Sequence, residues 1–171
     1  QGVAQAALWR CAPHSSLLKS LAPAELAELA DLCVVREFSA GEGIMRQGEE
    51  AHFFCFVTEG SLKAAIPRDE RWPRAGHRSS ASAPLQEWRL MRVGDVGGEM
   101  ALFSGLRRTA FVEALSDGVL AVVEFGDLER CDANVSARIR KSLAGTAMLR
   151  LGENQEPHAP QEGPRAAQPS T

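Results

Sequence analysis

The chain has 171 residues, 44% of them hydrophobic and 24% charged, with a net charge of −3. That length supports one domain with a real core plus extensions, and the composition is that of an ordinary globular protein. The acidic balance excludes the basic footprint of a nucleic-acid-binding domain. No apolar run reaches membrane-spanning length, so a soluble piece without direct membrane contact is expected. Beginning at Gln1, it reads as a processed product or a piece of a longer protein.

Residues 1–16 form an N-terminal extension, a loose helix docking by Leu8 and Trp9 and ending before Pro13. From Ser16 to Val35 the pattern is helical. Ser20 is a capping residue, Pro23 suits a first turn, and Leu26, Leu29, Leu32 and Cys33 recur at helical spacing. The period then shortens. Val34–Phe38, Ile44–Arg46, Phe53–Val57, Leu62–Ile66, Glu87–Val93, Phe111–Leu115 and Val119–Phe125 read as strands, broken by turns such as Gly41-Glu42-Gly43 and Thr58-Glu59-Gly60-Ser61. Trp88, Leu90 and Val93 are expected in the core, and Ser116-Asp117-Gly118 as a hairpin turn.

Residues 67–86 read as a long, exposed, mobile loop. Arg78-Ser79-Ser80 within it has the form of a kinase substrate, but a solvated loop without a role is the simpler reading. After a short turn at Asp127–Cys131, Val135, Ile139, Leu143, Ala147 and Leu151 mark one stripe of a helix, weakened at Gly145. Residues 152–171 read as a disordered tail. The fold class is therefore mainly β with flanking helices, α+β: about eight antiparallel strands in a jelly roll, between N-terminal helices and a C-terminal helix. The domain itself covers residues 17–151.

Cys11, Cys33, Cys55 and Cys131 lack any C-x-x-C spacing; three of the four sit in apolar segments and read as small core residues of a reducing compartment, with a disulfide pair as the alternative. His14, His52, His77 and His158 are too scattered for a metal site. No nucleophile–base pair stands out, so neither a catalytic residue nor a cofactor is expected, and the chain reads as a non-enzyme.

The richest stretch is Gly97 to Ala110. Glycines let backbone amides approach a ligand, a short helical turn aims N–H groups at it, and an arginine supplies a donor fork. That is an anion pocket. The acid Glu99 within it suits a hydroxyl-bearing part of the same ligand.

Two motifs resemble the cyclic-nucleotide-binding domains. Phe38-Ser39-Ala40-Gly41-Glu42-Gly43-Ile44-Met45-Arg46-Gln47-Gly48-Glu49, followed by Ala51, Phe54 and Val57–Gly60, is similar to that family's early strands and glycine turns. Gly98-Glu99-Met100-Ala101-Leu102 with Arg108-Thr109-Ala110 resembles its phosphate-binding cassette. The likeness runs from about Leu17 to Leu143.

The resemblance implies a regulatory module that binds cAMP or cGMP. Arg108 would pair with the cyclic phosphate, Glu99 with the ribose hydroxyl, and amides around Ala101, Leu102 and Ala110 would complete the cradle. Thr109 would bond the 2-amino group of a syn guanine, or serve simply as a β-prone residue. Arg107 reads as a solvated neighbour. The C-terminal helix would close over the base, with Ile139, Leu143 and Met148 as candidate lid contacts or as ordinary packing. It would pass the change to an effector domain in the same or a partner chain, a channel or a kinase, on the cytoplasmic side. The rival is an interaction module of the same fold that has lost its ligand. The sequence departs from the family at Gly97, where an aromatic is frequent, at His52, and in the length of the 67–86 loop.

Overall fold

The computed structural model describes residues 2–67 and 85–153. Helices α1 (Gly2–Cys11), α2 (Ser16–Lys19) and α3 (Pro23–Leu32) precede eight strands. These are β1 (Val34–Phe38), β2 (Gly43–Met45), β3 (Phe53–Glu59), β4 (Leu62–Pro67), β5 (Leu85–Met91), β6 (Val96–Gly97), β7 (Phe111–Ala114) and β8 (Gly118–Glu124). Helices α4 (Phe125–Leu128) and α5 (Ala133–Glu153) close the chain. The strands form two antiparallel four-stranded sheets, ordered β1-β8-β3-β6 and β2-β7-β4-β5, the jelly roll that the alternating pattern implied.

Strand β3 explains the layering. Successive side chains of a strand point to opposite faces, and here both faces are covered. Phe54 and Phe56 face the helices, joining Leu8, Leu18, Leu29, Ala121, Val123, Ile139 and Leu143 in one core cluster. Cys55 and Val57 face the second sheet, joining Met45, Leu62, Met91, Val112 and Leu120 in another. A strand buried on both faces needs an unbroken apolar run, which is what Phe53–Val57 supplies.

Several local expectations change. The N-terminal helix is an integral part of the core: Ala4, Ala7, Leu8 and Cys11 are buried, at the spacing of one helical face. Trp9, one residue out of phase, is 46% exposed and does not dock. The helical segment after Ser16 breaks in two. Ser20 ends α2, its hydroxyl donating to Leu17 O at 2.6 Å, and α3 starts from Ala22, whose N–H donates to the Glu25 carboxylate at 2.7 Å.

In β5 the apolar phase is inverted. Met91 is buried while Leu90 and Val93 are more than a third exposed, because the one-residue alternation that turns Met91 inward turns Leu90 out; the side chain of Trp88 lies outside the described ones. Ser116-Asp117-Gly118 is not a hairpin. Strands β7 and β8 lie in different sheets, so the turn crosses between them, held by Ala40 N–H donating to Asp117 Oδ1 at 2.8 Å and Ser61 N–H to Ser116 Oγ at 3.1 Å.

The ladder between β4 and β5 extends to Pro67 opposite Leu85, so both ends of the expected 67–86 loop belong to strands. The remainder, with Arg78-Ser79-Ser80, lies outside the described residues. Helix α5 likewise reaches Glu153, and the rest of the expected tail is outside them. All four cysteines are free thiols. Burial pushes Cys11 up to about 11, and Cys33 and Cys55 up to about 12, so these three stay protonated and inert at neutral pH.

A Cβ on Gly118 would lie 2.2 Å from the Glu59 carbonyl oxygen, whereas one on Gly145 of α5 meets nothing within 4 Å. Gly118→Ala is expected to cost about 1–3 kcal/mol by overpacking, and Gly145→Ala to add about 0.5–1 kcal/mol of helix stability. Urea unfolding of both variants checks this; shifts of the same sign would contradict the packing of the crossover.

Candidate functional site

Between β6 and β7 the chain makes the 3₁₀ turn Glu99–Leu102 and a loop that runs to Ala110. Gly98 opens it with φ +85°, a left-handed conformation that favours glycine. Its missing side chain matters as well. A Cβ there would lie 2.5 Å from Arg108 Nη1 and 3.0 Å from Met45 Cε, so the glycine makes room for the guanidinium. The loop is pinned to the β2–β3 connection by Gly48 N–H to Arg108 O and Arg108 N–H to Glu49 O, each 2.9 Å, and by Ala51 N–H to Leu106 O at 2.8 Å.

Arg108 is only 6% exposed. Its Nη1 donates to Phe53 O at 2.8 Å and its guanidinium lies 4.3 Å from the Phe53 ring centroid. Burial pulls it below the ordinary arginine range, against the pull of Cys55, Glu49 and Glu99. No carboxylate among the described residues pairs with it: Glu113 goes to Lys63 at 3.4 Å, and Glu99 goes elsewhere.

Glu99 is fully buried and forms an ion pair with Arg150 of α5. A second arm of Arg150 donates to Val96 O at 2.6 Å. Burial pushes the Glu99 carboxyl above its usual range, and Arg150 opposes that shift; burial likewise lowers Arg150, with Glu99 opposing. Nearby, Arg89 of β5 donates to Asp95 at 2.7 Å, and the other Asp95 oxygen accepts Arg92 N–H at 2.8 Å.

These groups surround a small, partly open cavity. Its wall is one row across the second sheet. Met45 on β2 pairs with Val112 on β7, Val112 with Ala64 on β4, and Ala64 with Arg89 on β5. Three apolar side chains therefore end in a guanidinium. Gly98, Glu99, Met100, Ala101, Arg108, Thr109 and Ala110 line the cavity, together with Met91 and Arg150. Leu102 instead packs on the helical core.

Among the described side chains of α5, the candidate lid residues and the rest of the stripe do not line the cavity. Ile139 and Leu143 are fully buried among the N-terminal helices and Met148 is 71% exposed. Arg150 is the side chain of α5 that enters. Its signal in the sequence was position: it follows Ala147 by three residues, one turn along the buried face. Arg107 is exposed, its Nη1 donating to Gly48 O at 3.5 Å. Gly97, the departure from the family pattern, leaves room for Met91, whose Cε would lie 2.5 Å from a Cβ there.

A second concavity, lined by Glu37, Glu42, Glu59 and Asp117, is acidic and offers nothing to an anion. Among the described residues no group of His, Cys, Asp and Glu is placed to hold a metal, and no helix is long and apolar enough to cross a membrane.

A sequence profile described as "Cyclic nucleotide-binding domain" matches residues 35–134. The chain belongs to that family. Over 104 residues this cyclic nucleotide-binding domain is 32% identical to cGMP-dependent protein kinase, isozyme 1, of Drosophila melanogaster, covering 60% of the chain and 12% of the kinase. It is 29% identical over 144 residues to a cyclic nucleotide-gated potassium channel of Mesorhizobium japonicum, covering 84% of the chain and 35% of the channel. The fold is shared with the regulatory domain of Toxoplasma gondii PKA, crystallised with cAMP: the TM-score is 0.63 at 24% identity, over 84% of this chain and 49% of that one. The chain thus spans 12% to 35% of the length of the two curated relatives.

Removing one partner of a buried ion pair leaves an uncompensated charge, so Arg150→Ala is expected to cost about 3–5 kcal/mol at neutral pH. The sign with pH follows from Glu99. Its folded-state pKa already lies above the reference of 4.5, and losing Arg150 raises it further. The folded variant then holds a proton that the unfolded chain releases, so its stability falls as pH rises above about 4.5. Urea unfolding at pH 5 and pH 7 should show a smaller penalty at pH 5; an equal penalty would remove Glu99 as its source.

Proposed function

We propose that this domain is a cyclic-nucleotide sensor that prefers cGMP and reports occupancy through α5. One observation carries the reading: Arg108 is a buried guanidinium beside Gly98 that faces the cavity without a carboxylate partner. Of the three arginines lining the cavity, Arg89 is paired with Asp95 and Arg150 with Glu99. One positive charge is left over. That suits the single negative charge of a cyclic phosphodiester better than the double charge of a phosphomonoester.

The apolar row of Met45, Val112 and Ala64 offers a surface for a purine face, with Arg89 at its end. A guanidinium is a donor fork; guanine presents acceptors at O6 and N7, whereas adenine presents a donor at N6. Thr109, also on the lining, adds a hydroxyl for the guanine 2-amino group. Both contacts favour cGMP while leaving cAMP able to bind.

Output runs through α5, because Arg150 ties its last turns to Glu99 and to Val96. A ligand that binds one position of α5 better than another shifts its population. The effector, a channel or a kinase as in the relatives, lies outside the matched region, and the cytoplasmic face is where we place it. No catalytic role is assigned to the domain. The second reading is a ligand-independent interaction module, favoured by one fact: Arg150 already supplies Glu99 with a partner.

Calorimetry with cAMP and cGMP separates the two readings. Wild type should bind at micromolar concentration or below, and heat from neither nucleotide would leave the interaction module standing. Arg108→Ala removes a charge-assisted contact of about 1.5–3 kcal/mol, a loss of roughly 10- to 150-fold for both nucleotides; undiminished binding would strip Arg108 of its role. Thr109→Ala is expected to weaken cGMP by about fivefold or more and cAMP less, and equal losses would end the argument for guanine.

A further inference from the structure

The contact between Glu99 and Arg150 leaves one atom over on each side. Glu99 Oε2 and Arg150 Nε are both shut away from solvent and have no hydrogen-bond partner. An unpaired buried polar atom is costly, more so when charged, and native interiors contain few of them. Here two sit on residues that touch one another and line the same cavity.

Their chemistry is complementary. A carboxylate oxygen only accepts, and a guanidinium Nε–H only donates. A single group that satisfies both must donate to one and accept from the other, which is what a hydroxyl does. On a 3′,5′-cyclic nucleotide the 3′- and 5′-oxygens are esterified, so the ribose carries one hydroxyl, the 2′.

We propose that Arg150 is a second ribose-binding residue. Its Nε–H donates to the 2′-oxygen while Glu99 Oε2 accepts the 2′-proton. This rests on the cyclic-nucleotide reading above and adds to it a direct bond between ligand and α5. The position on the helix gives that bond its effect. Ile139 and Leu143 are fully buried against the N-terminal helices, and Arg138 pairs with Glu25 of α3 at 2.6 Å. The earlier part of α5 is therefore anchored without ligand. The 2′-hydroxyl would act on the later turns, where Met148 and Leu149 are exposed and only Ala147 and Arg150 are buried among residues 144–150.

The test compares cAMP and cGMP with their 2′-deoxy counterparts on the full chain. Calorimetry gives affinity, and hydrogen exchange of residues 144–150 reports on the helix. In wild type, loss of the hydroxyl should weaken binding roughly 10- to 100-fold and abolish the slowing of exchange that the parent nucleotides produce. Arg150→Lys keeps a positive charge opposite Glu99 but has no Nε, so the ratio between parent and deoxy nucleotide should shrink at least about threefold.

Thermal unfolding confirms that this variant is folded. Were it not, the wild-type comparison decides alone. Equal affinity of wild type for parent and deoxy nucleotides would overturn the hydroxyl bridge and leave the sensor reading intact. Full discrimination retained by Arg150→Lys would return the hydroxyl to Glu99 alone. Binding of no nucleotide at all would overturn the sensor reading itself.

Discussion

Two opposite charges held away from water, Glu99 and Arg150, tie the parts of this domain together. Each would be costly to bury alone, and each makes the other tolerable. Glu99 belongs to the loop between β6 and β7, and Arg150 to the far end of α5. Their meeting commits the end of the helix to the rim of the cavity. It also commits Val96, whose carbonyl takes another Arg150 donor. Cavity, edge strand and helix thus share one electrostatic joint.

The other half of the design is strand β3. Because Phe54 and Phe56 look toward the helices and Cys55 and Val57 toward the second sheet, the helices cannot shift without disturbing a strand that also backs the barrel core. Phe54 stacks on Phe125 at 6.0 Å between centroids, placing the start of α4 on the same surface. That packing, with Ile139 and Leu143 within it, fixes the earlier part of α5 against the sheet.

Much of this was legible in the sequence. Val34–Phe38 reads as a strand and is one, and the long strands were visible because β-prone runs end at glycine turns. Of the residues in the second motif behind the family resemblance, all but Leu102 line one cavity, whereas of the first motif only Met45 does. The misreadings share a physical cause. Alternation fixes a strand's phase only when its apolar residues are consistent, and in β5 Leu90 and Met91 compete. A turn signal such as Ser116-Asp117-Gly118 marks a reversal but not the sheet on which the chain continues. Strand β6 has two residues, too few for any period. Arg89 was missed because a charged side chain on a buried face shows no sequence signal until its counter-charge, Asp95, is located in space, and Arg150 because its place one turn past Ala147 was its only mark.

The pairing of β4 with β5 has a practical meaning. These strands form the hairpin at the edge of the second sheet, and their ladder stays closed as far as Pro67 opposite Leu85. Pro67 and Leu85 therefore lie side by side. The entropy of closing a connection between fixed, adjacent ends grows only slowly with its length, about 0.6 kcal/mol per doubling. A flexible insert placed between Pro67 and Leu85 is therefore thermodynamically cheap. A reporter grafted there would hang from the strand that carries Arg89, one ladder away from Ala64 on the cavity wall, and so beside the cavity.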